Sequence, residues 1–132
     1  MEKLNVVTDV LEVDEVRRRL PEVRKALQPL MATTRRIKER FRVWQRLSSQ
    51  GPPDEAEDLR RELDRLDSKW RAAMKDVNAH GAYVKDPEIG LVDFYHWRNG
   101  ELVFLCWRYD EPEITHWHGL HEGFAGRKPI DD

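Results

Sequence analysis

Residues 13–44 read VDEVRRRLPEVRKALQPLMATTRRIKERFRVW. Their apolar and tolerated positions, Val13, Val16, Leu20, Val23, Leu27, Leu30, Thr34, Ile37, Phe41 and Trp44, are spaced alternately by three and four. That stripe is what a helix shows when it packs lengthwise against another helix. The same spacing returns at Ala56, Leu59, Leu63, Leu66, Trp70, Ala73 and Val77. Between the stripes lies Ser48-Ser49-Gln50-Gly51-Pro52-Pro53, a turn signal. Asp54 and Glu55 follow, carboxylates suited to the positive end of a helix dipole. The pattern therefore predicts helix one over 13–48, helix two over 54–80, and an antiparallel helical hairpin. Folding at the turn sets Trp44 near Leu59, Phe41 near Leu63, Ile37 near Leu66 and Thr34 near Trp70.

Pro21 and Pro29 interrupt the first stripe, and proline removes an amide donor and crowds the preceding turn. A kink is expected there, or a short separate helix ending near Leu20 with Pro21 opening the next. The first half of helix one also outruns helix two, so Val16, Leu20 and Val23 need another partner.

Outward from the hairpin, the periodicity changes after Gly81. Val92-Asp93-Phe94-Tyr95-His96-Trp97 and Leu102-Val103-Phe104-Leu105-Cys106-Trp107 flank Arg98-Asn99-Gly100-Glu101. Asn-Gly is the favoured two-residue hairpin turn, because both positions tolerate positive φ. The turn fixes the register: Trp97 faces Leu102, Tyr95 faces Phe104 and Asp93 faces Cys106. Ile114 to His118 reads as a third strand. Tyr83-Val84-Lys85 and Leu4-Asn5-Val6-Val7 are possible edges. The class is α+β: a long antiparallel helical hairpin followed by a small antiparallel β-sheet of three to four strands over 82–118, with a tail over 119–132, all one domain of residues 1–132. Both faces of this sheet are largely apolar, whereas a sheet wetted on one side alternates with polar residues. One face suits the helices. The other needs the glycine-rich tail, a second subunit or a ligand, and a homodimer is the preferred cover.

Composition narrows the functional classes. The 132 residues suffice for a core without disulfides. Five Trp residues argue against disorder. The single cysteine, Cys106, excludes an internal disulfide and fits a reducing compartment. No signal peptide pattern opens the chain, and no run approaches the roughly 18 apolar residues of a membrane span, so the expected location is the cytoplasm. Residues 14–48 carry eleven Lys and Arg against four Asp and Glu. The run Arg35, Arg36, Lys38, Arg40, Arg42 and Arg46 nevertheless folds beside Asp54, Glu55, Glu57 and Asp58, and the net charge is −2. Intramolecular pairing therefore explains it better than nucleic-acid binding.

Chemistry concentrates on the sheet. If the third strand keeps an even register, Cys106, His116 and His118 share the face of Asp93, with His121, Glu122 and Arg127 in the loop beyond. A thiolate, a carboxylate and imidazoles are competent ligands for zinc or a related divalent metal, or a nucleophile and base. Their spacing matches no established zinc signature, and one bulge over Tyr109 to Glu113 would turn Trp117 to that face instead. The competing readings are a Cys106 that packs as a small hydrophobe, an Asp93 paired with Arg127, and Trp107 and Trp117 as core. No phosphate loop or serine nucleophile elbow is present.

Several segments, Gly90-Leu91-Val92-Asp93-Phe94, Leu105-Cys106-Trp107, Glu111-Pro112-Glu113-Ile114, Trp117-His118, Gly123-Phe124-Ala125-Gly126-Arg127 and Leu20-Pro21-Glu22-Val23, resemble an uncharacterised bacterial family, domain of unknown function 2203. The resemblance runs from about Val10 to Ile130. It implies a bacterial or related source and carries no activity. That family's usual helix-start Thr is Glu12 here. His116 stands where an aromatic or small residue is expected, which makes His118 the better candidate of the two.

Two functional readings follow. One is a non-enzymatic interaction or scaffold protein, acting on itself as a homodimer and on other proteins. The alternative is a metal or small-molecule site formed by Asp93, Cys106 and His118, with His116, Glu122 and Arg127 beside it.

Overall fold

In a computed structural model of the chain, residues 9–131 are described. Helix α1 spans Val13–Gln50 and helix α2 spans Pro53–Asn78. The α1 start lacks a side-chain cap at Glu12, but Asp14 and Glu15 place carboxylates in its first turn. Pro53 opens α2, where a missing amide hydrogen costs nothing. Both Pro21 and Pro29 lie inside α1. A separate first helix ending near Leu20 does not form. Both prolines are exposed, so water can reach the carbonyls they leave unpaired.

The two stripes meet at the expected height where this can be read directly. Trp70 Nε1 donates to Thr34 Oγ1 at 2.8 Å, and Thr34 Oγ1 donates to the Leu30 carbonyl at 2.7 Å. Nearer the turn, Arg36 and Arg40 of α1 both reach Glu62 of α2, at 3.1 and 3.4 Å. Glu62 is not one of the expected partners: among the described residues Asp54, Glu55, Glu57 and Asp58 form no salt bridge with α1, and Glu57 and Asp58 pair within α2 with Arg60 and Arg61. Lys38 binds Glu88, and Arg35 donates to the Glu88 carbonyl, so part of the charge turns to the β-sheet side.

The sheet has five antiparallel strands in sequential order, rather than three to four: β1 Tyr83–Asp86, β2 Leu91–Arg98, β3 Glu101–Arg108, β4 His116–Gly119 and β5 Lys128–Pro129. The added strand β5 is two residues long, with Trp117 opposite Lys128. An element of that length has no periodicity to read. The possible edge at Leu4-Asn5-Val6-Val7 lies outside the described residues. The β2–β3 turn has φ of 50° at Asn99 and 81° at Gly100, both left-handed as an Asn-Gly hairpin requires. Asp93 pairs with Cys106, Tyr95 with Phe104 and Trp97 with Leu102.

The inner face of the sheet closes on α1. Val92, Phe94, Leu105 and Trp107 join Val16, Leu20, Val23, Leu27 and Leu30, with Ala73 and Val77 of α2 and Ile114, in one core. This supplies the partner that the protruding half of α1 needed. Fully burying a side chain such as Phe94 or Leu105 contributes about 1.5–3 kcal/mol each. Arg24 reaches across from α1. Its guanidinium lies 4.9 Å from the Trp107 ring centre and donates to the Tyr109 and Glu111 carbonyls at 2.6 and 3.1 Å. No helix among the described residues is long and apolar enough to cross a membrane.

Candidate functional site

The outer face of the sheet carries a short row of aromatic rings, Tyr83, Tyr95 and Phe104, beside three polar residues. Cys106 on β3 stands between Asp93 on β2 and His116 on β4, and His118 stands opposite Phe104. The even register therefore holds through the β3–β4 loop, and Trp117 opposes Leu105 on the other side. His118 reaches diagonally to Asp93, with Nε2 at 3.1 and 3.2 Å from the two carboxylate oxygens. Ligand atoms of Asp93, Cys106 and His118 all lie within 4.8 Å of one another, and all three residues are buried.

The protonation chemistry of this trio is specific. His118 Nδ1 lies 2.8 Å from the Gly119 carbonyl, which can only accept, so Nδ1 is assigned the proton. In the neutral ring Nε2 then presents a lone pair to the Asp93 carboxylate. Two acceptors at that distance repel unless a proton or a cation lies between them. Burial pushes the Asp93 carboxyl above its ordinary range, with the His118 charge opposing the shift. Burial, and then the Asp93 charge, push the Cys106 thiol up to about 12. Without a cation, Cys106 is thus a neutral thiol and a poor nucleophile at neutral pH.

The other expected residues are arranged around the trio rather than in it. His116 faces Cys106 in the register, but its Nδ1 pairs with Thr115 Oγ1 at 2.9 Å. Glu122 accepts from the Gly119 amide at 2.7 Å and from Lys128 at 3.1 Å, which holds its carboxyl below the usual range. Arg127 pairs with Glu111 at 2.9 Å and donates to the Cys106 carbonyl at 3.2 Å, not to Asp93. Trp107 is fully buried core, and Trp117 lies between Arg98 and Lys128, whose charges are 4.8 and 4.9 Å from its ring.

The trio opens onto a cavity of about 280 Å³. The tail, with Leu120 and Phe124, forms its far wall, and Lys85 stands at its side. The tail thus covers part of the outer face that the sequence left open. Trp97, further along, is 58% exposed. Sequence reasoning missed Lys85, although the alternation of Tyr83-Val84-Lys85 against the face of Asp93 was a signal for it.

Three ligand groups of hard and soft character around one point, with a cavity beside them, suit a divalent transition metal that keeps an open coordination position. The backbone carbonyl on His118 Nδ1 is the usual outer partner of a metal-bound imidazole.

No curated protein and no solved structure matches the chain. The model of the family described as uncharacterized conserved protein (DUF2203) matches residues 10–130. That span takes in both helices, all five strands and Asp93, Cys106 and His118; the chain belongs to this family.

Proposed function

We propose that the protein binds a divalent metal, of the zinc type, through Asp93, Cys106 and His118, with a fourth position open to the cavity. The observation that carries the reading is the facing pair of acceptors: a His118 Nε2 lone pair 3.1 Å from the Asp93 carboxylate, with the other ring nitrogen committed to the Gly119 carbonyl. A cation resolves that repulsion and draws the Cys106 proton off as well, since a metal-bound thiol ionises. A site with three protein ligands and one open position polarises a bound water or substrate group. The lone cysteine, kept as thiol or thiolate, fits the reducing cytoplasm.

The test is elemental analysis of protein purified without an affinity tag. About one zinc-type ion per chain is expected, lost in Cys106→Ala and His118→Ala while both variants keep their circular dichroism spectrum. Substoichiometric metal that neither substitution changes rejects the reading, and a proton-bridged His118–Asp93 pair takes its place.

A second reading concerns assembly. We propose that the end of the hairpin remote from the sheet pairs with a second copy of the chain. Phe41 is 45% exposed although it lies on the stripe, and its ring stacks on Trp44 at 5.7 Å. Residues 35–47 of α1 carry six cations against one anion, and residues 53–67 of α2 carry seven anions against three cations. Two copies related by a two-fold axis set each basic face on the other's acidic face.

A further inference from the structure

We propose that the cavity takes a small carboxylate with an apolar body, its carboxylate shared between the open position of the metal and Lys85 Nζ. The proposal rests on the metal reading. A divalent cation held by the Asp93 carboxylate, the Cys106 thiolate and neutral His118 is electrically balanced. The Glu122 carboxylate at the cavity wall is matched by Lys128, at 3.1 and 3.2 Å. Lys85 remains, and among the described residues it pairs with no carboxylate across a salt bridge. The loaded cavity therefore carries one surplus positive charge, which a monoanion cancels and a neutral or cationic ligand does not.

Lys85 stands at this wall because Tyr83 faces Asp93 and Lys85, two residues on, shares that face. The β1–β2 register runs Tyr83 to Asp93 and Val84 to Val92, then shifts so that Asp86 faces Leu91. The shift leaves Lys85 without a partner across the ladder. The side chain is exposed to solvent and also lines the cavity, its ammonium 4.6 Å from the Phe104 ring centre.

The rest of the lining sets the body of the ligand. Leu91, Phe104, Leu120 and Phe124 offer apolar surface, which a small inorganic anion leaves wet and a hydrocarbon body dries. The volume of about 280 Å³ equals the liquid share of about nine waters, the size class of hexanoate or benzoate.

The experiment uses the full chain loaded with cobalt(II), whose visible absorption reports both the thiolate and the open position. Hexanoate should shift the visible band saturably, acetate should bind more weakly, and hexan-1-ol and hexylamine should leave the band unmoved. Lys85→Gln should weaken hexanoate by about tenfold, as loss of one charge-assisted hydrogen bond predicts, and Lys85→Arg should retain it. Failure of cobalt to develop a thiolate charge-transfer band overturns the metal reading and this one with it. A normal cobalt band that hexanoate does not move, or that hexan-1-ol moves equally, overturns the carboxylate alone. Acetate binding as tightly as hexanoate overturns the apolar body, and an unchanged affinity in Lys85→Gln overturns the role of Lys85.

Discussion

Asp93 is the residue at which a metal site and a metal-free hydrogen-bonded pair make opposite demands. Burial raises its carboxyl pKa above the ordinary value of 3.8. An acid raised by folding is favoured in its neutral form by the folded state, so its ionisation costs stability. That cost is absent below the unfolded value and sets in as pH rises from about 3.8 through the folded pKa. Metal-free protein should therefore lose stability over that rise, and Asp93→Asn should remove the loss. The amide of the new side chain can also donate to the His118 Nε2 lone pair, for a gain of about 1 kcal/mol at pH 7. In zinc-loaded protein the same substitution deletes an anionic ligand and should weaken the metal by at least about 100-fold, beyond what outer-shell changes cost. Urea denaturation with and without a chelator checks both halves. Equal destabilisation in the two states speaks for a purely structural Asp93. Asp93 and Cys106 were legible in the sequence because Asn99-Gly100 fixes which residues face across the hairpin. Lys85 was not, because β1 is only four residues long and no tight turn signal fixes its register on β2, so its alternation could not be tied to the face of Asp93.

A part-buried polar contact lies within the mainly apolar stripe that joins the two helices. Trp70 Nε1 on α2 has Thr34 Oγ1 as its partner, and Thr34 is itself anchored to the Leu30 carbonyl. Replacing Thr34 with Val keeps the shape and leaves the indole N–H without its acceptor in a part-buried position. The expected cost is about 1–3 kcal/mol. It should appear as a lower urea midpoint with an unchanged denaturant slope, since the surface exposed on unfolding is the same. A variant as stable as the parent would mean that water replaces the hydroxyl and that the seam is looser than the 2.8 Å contact implies. The Thr34–Trp70 pairing was legible because stripe spacing and turn position together fix which residues stand level. The behaviour at Pro21 and Pro29 was not. Proline chemistry predicts a break, but tertiary packing decides whether a helix continues, and α1 is held on both sides of each proline by buried Val16, Leu20, Val23, Leu27 and Leu30. Strand β5 escaped for the opposite reason: Lys128–Pro129 is fixed by its partner β4, not by its own sequence.

At the scale of the molecule, burial is distributed very unevenly. All eight buried residues of α1 fall between Val16 and Thr34, and in α2 only Leu59 is buried before Ala73. Residues 35–72 are thus an arm with a mostly part-buried seam, flanked by exposed ion pairs such as Arg36–Glu62, which are worth little singly. The sheet end holds Trp107, Phe94 and the first half of α1, with Val16, Val23, Leu27 and Leu30, at zero exposure. Segments with few buried apolar contacts open below the global free energy. Amide exchange should therefore be fast in the arm and slow in β2, β3 and the Val16–Leu30 stretch. The assembly reading adds a distinguishing term. If two arms pair, their amides gain protection as protein concentration rises, by mass action, while those of the sheet do not. Phe41→Glu should remove that dependence and leave exchange in β2 and β3 unchanged, because Phe41 lies outside the core cluster. Exchange in the arm that is equally fast at every concentration would sink the pairing of hairpins and leave the arm as a charged, single-copy extension. Slow exchange at every concentration, with Phe41→Glu inert, would show that the exposed ion pairs and the partly buried seam hold the arm more firmly than their burial implies.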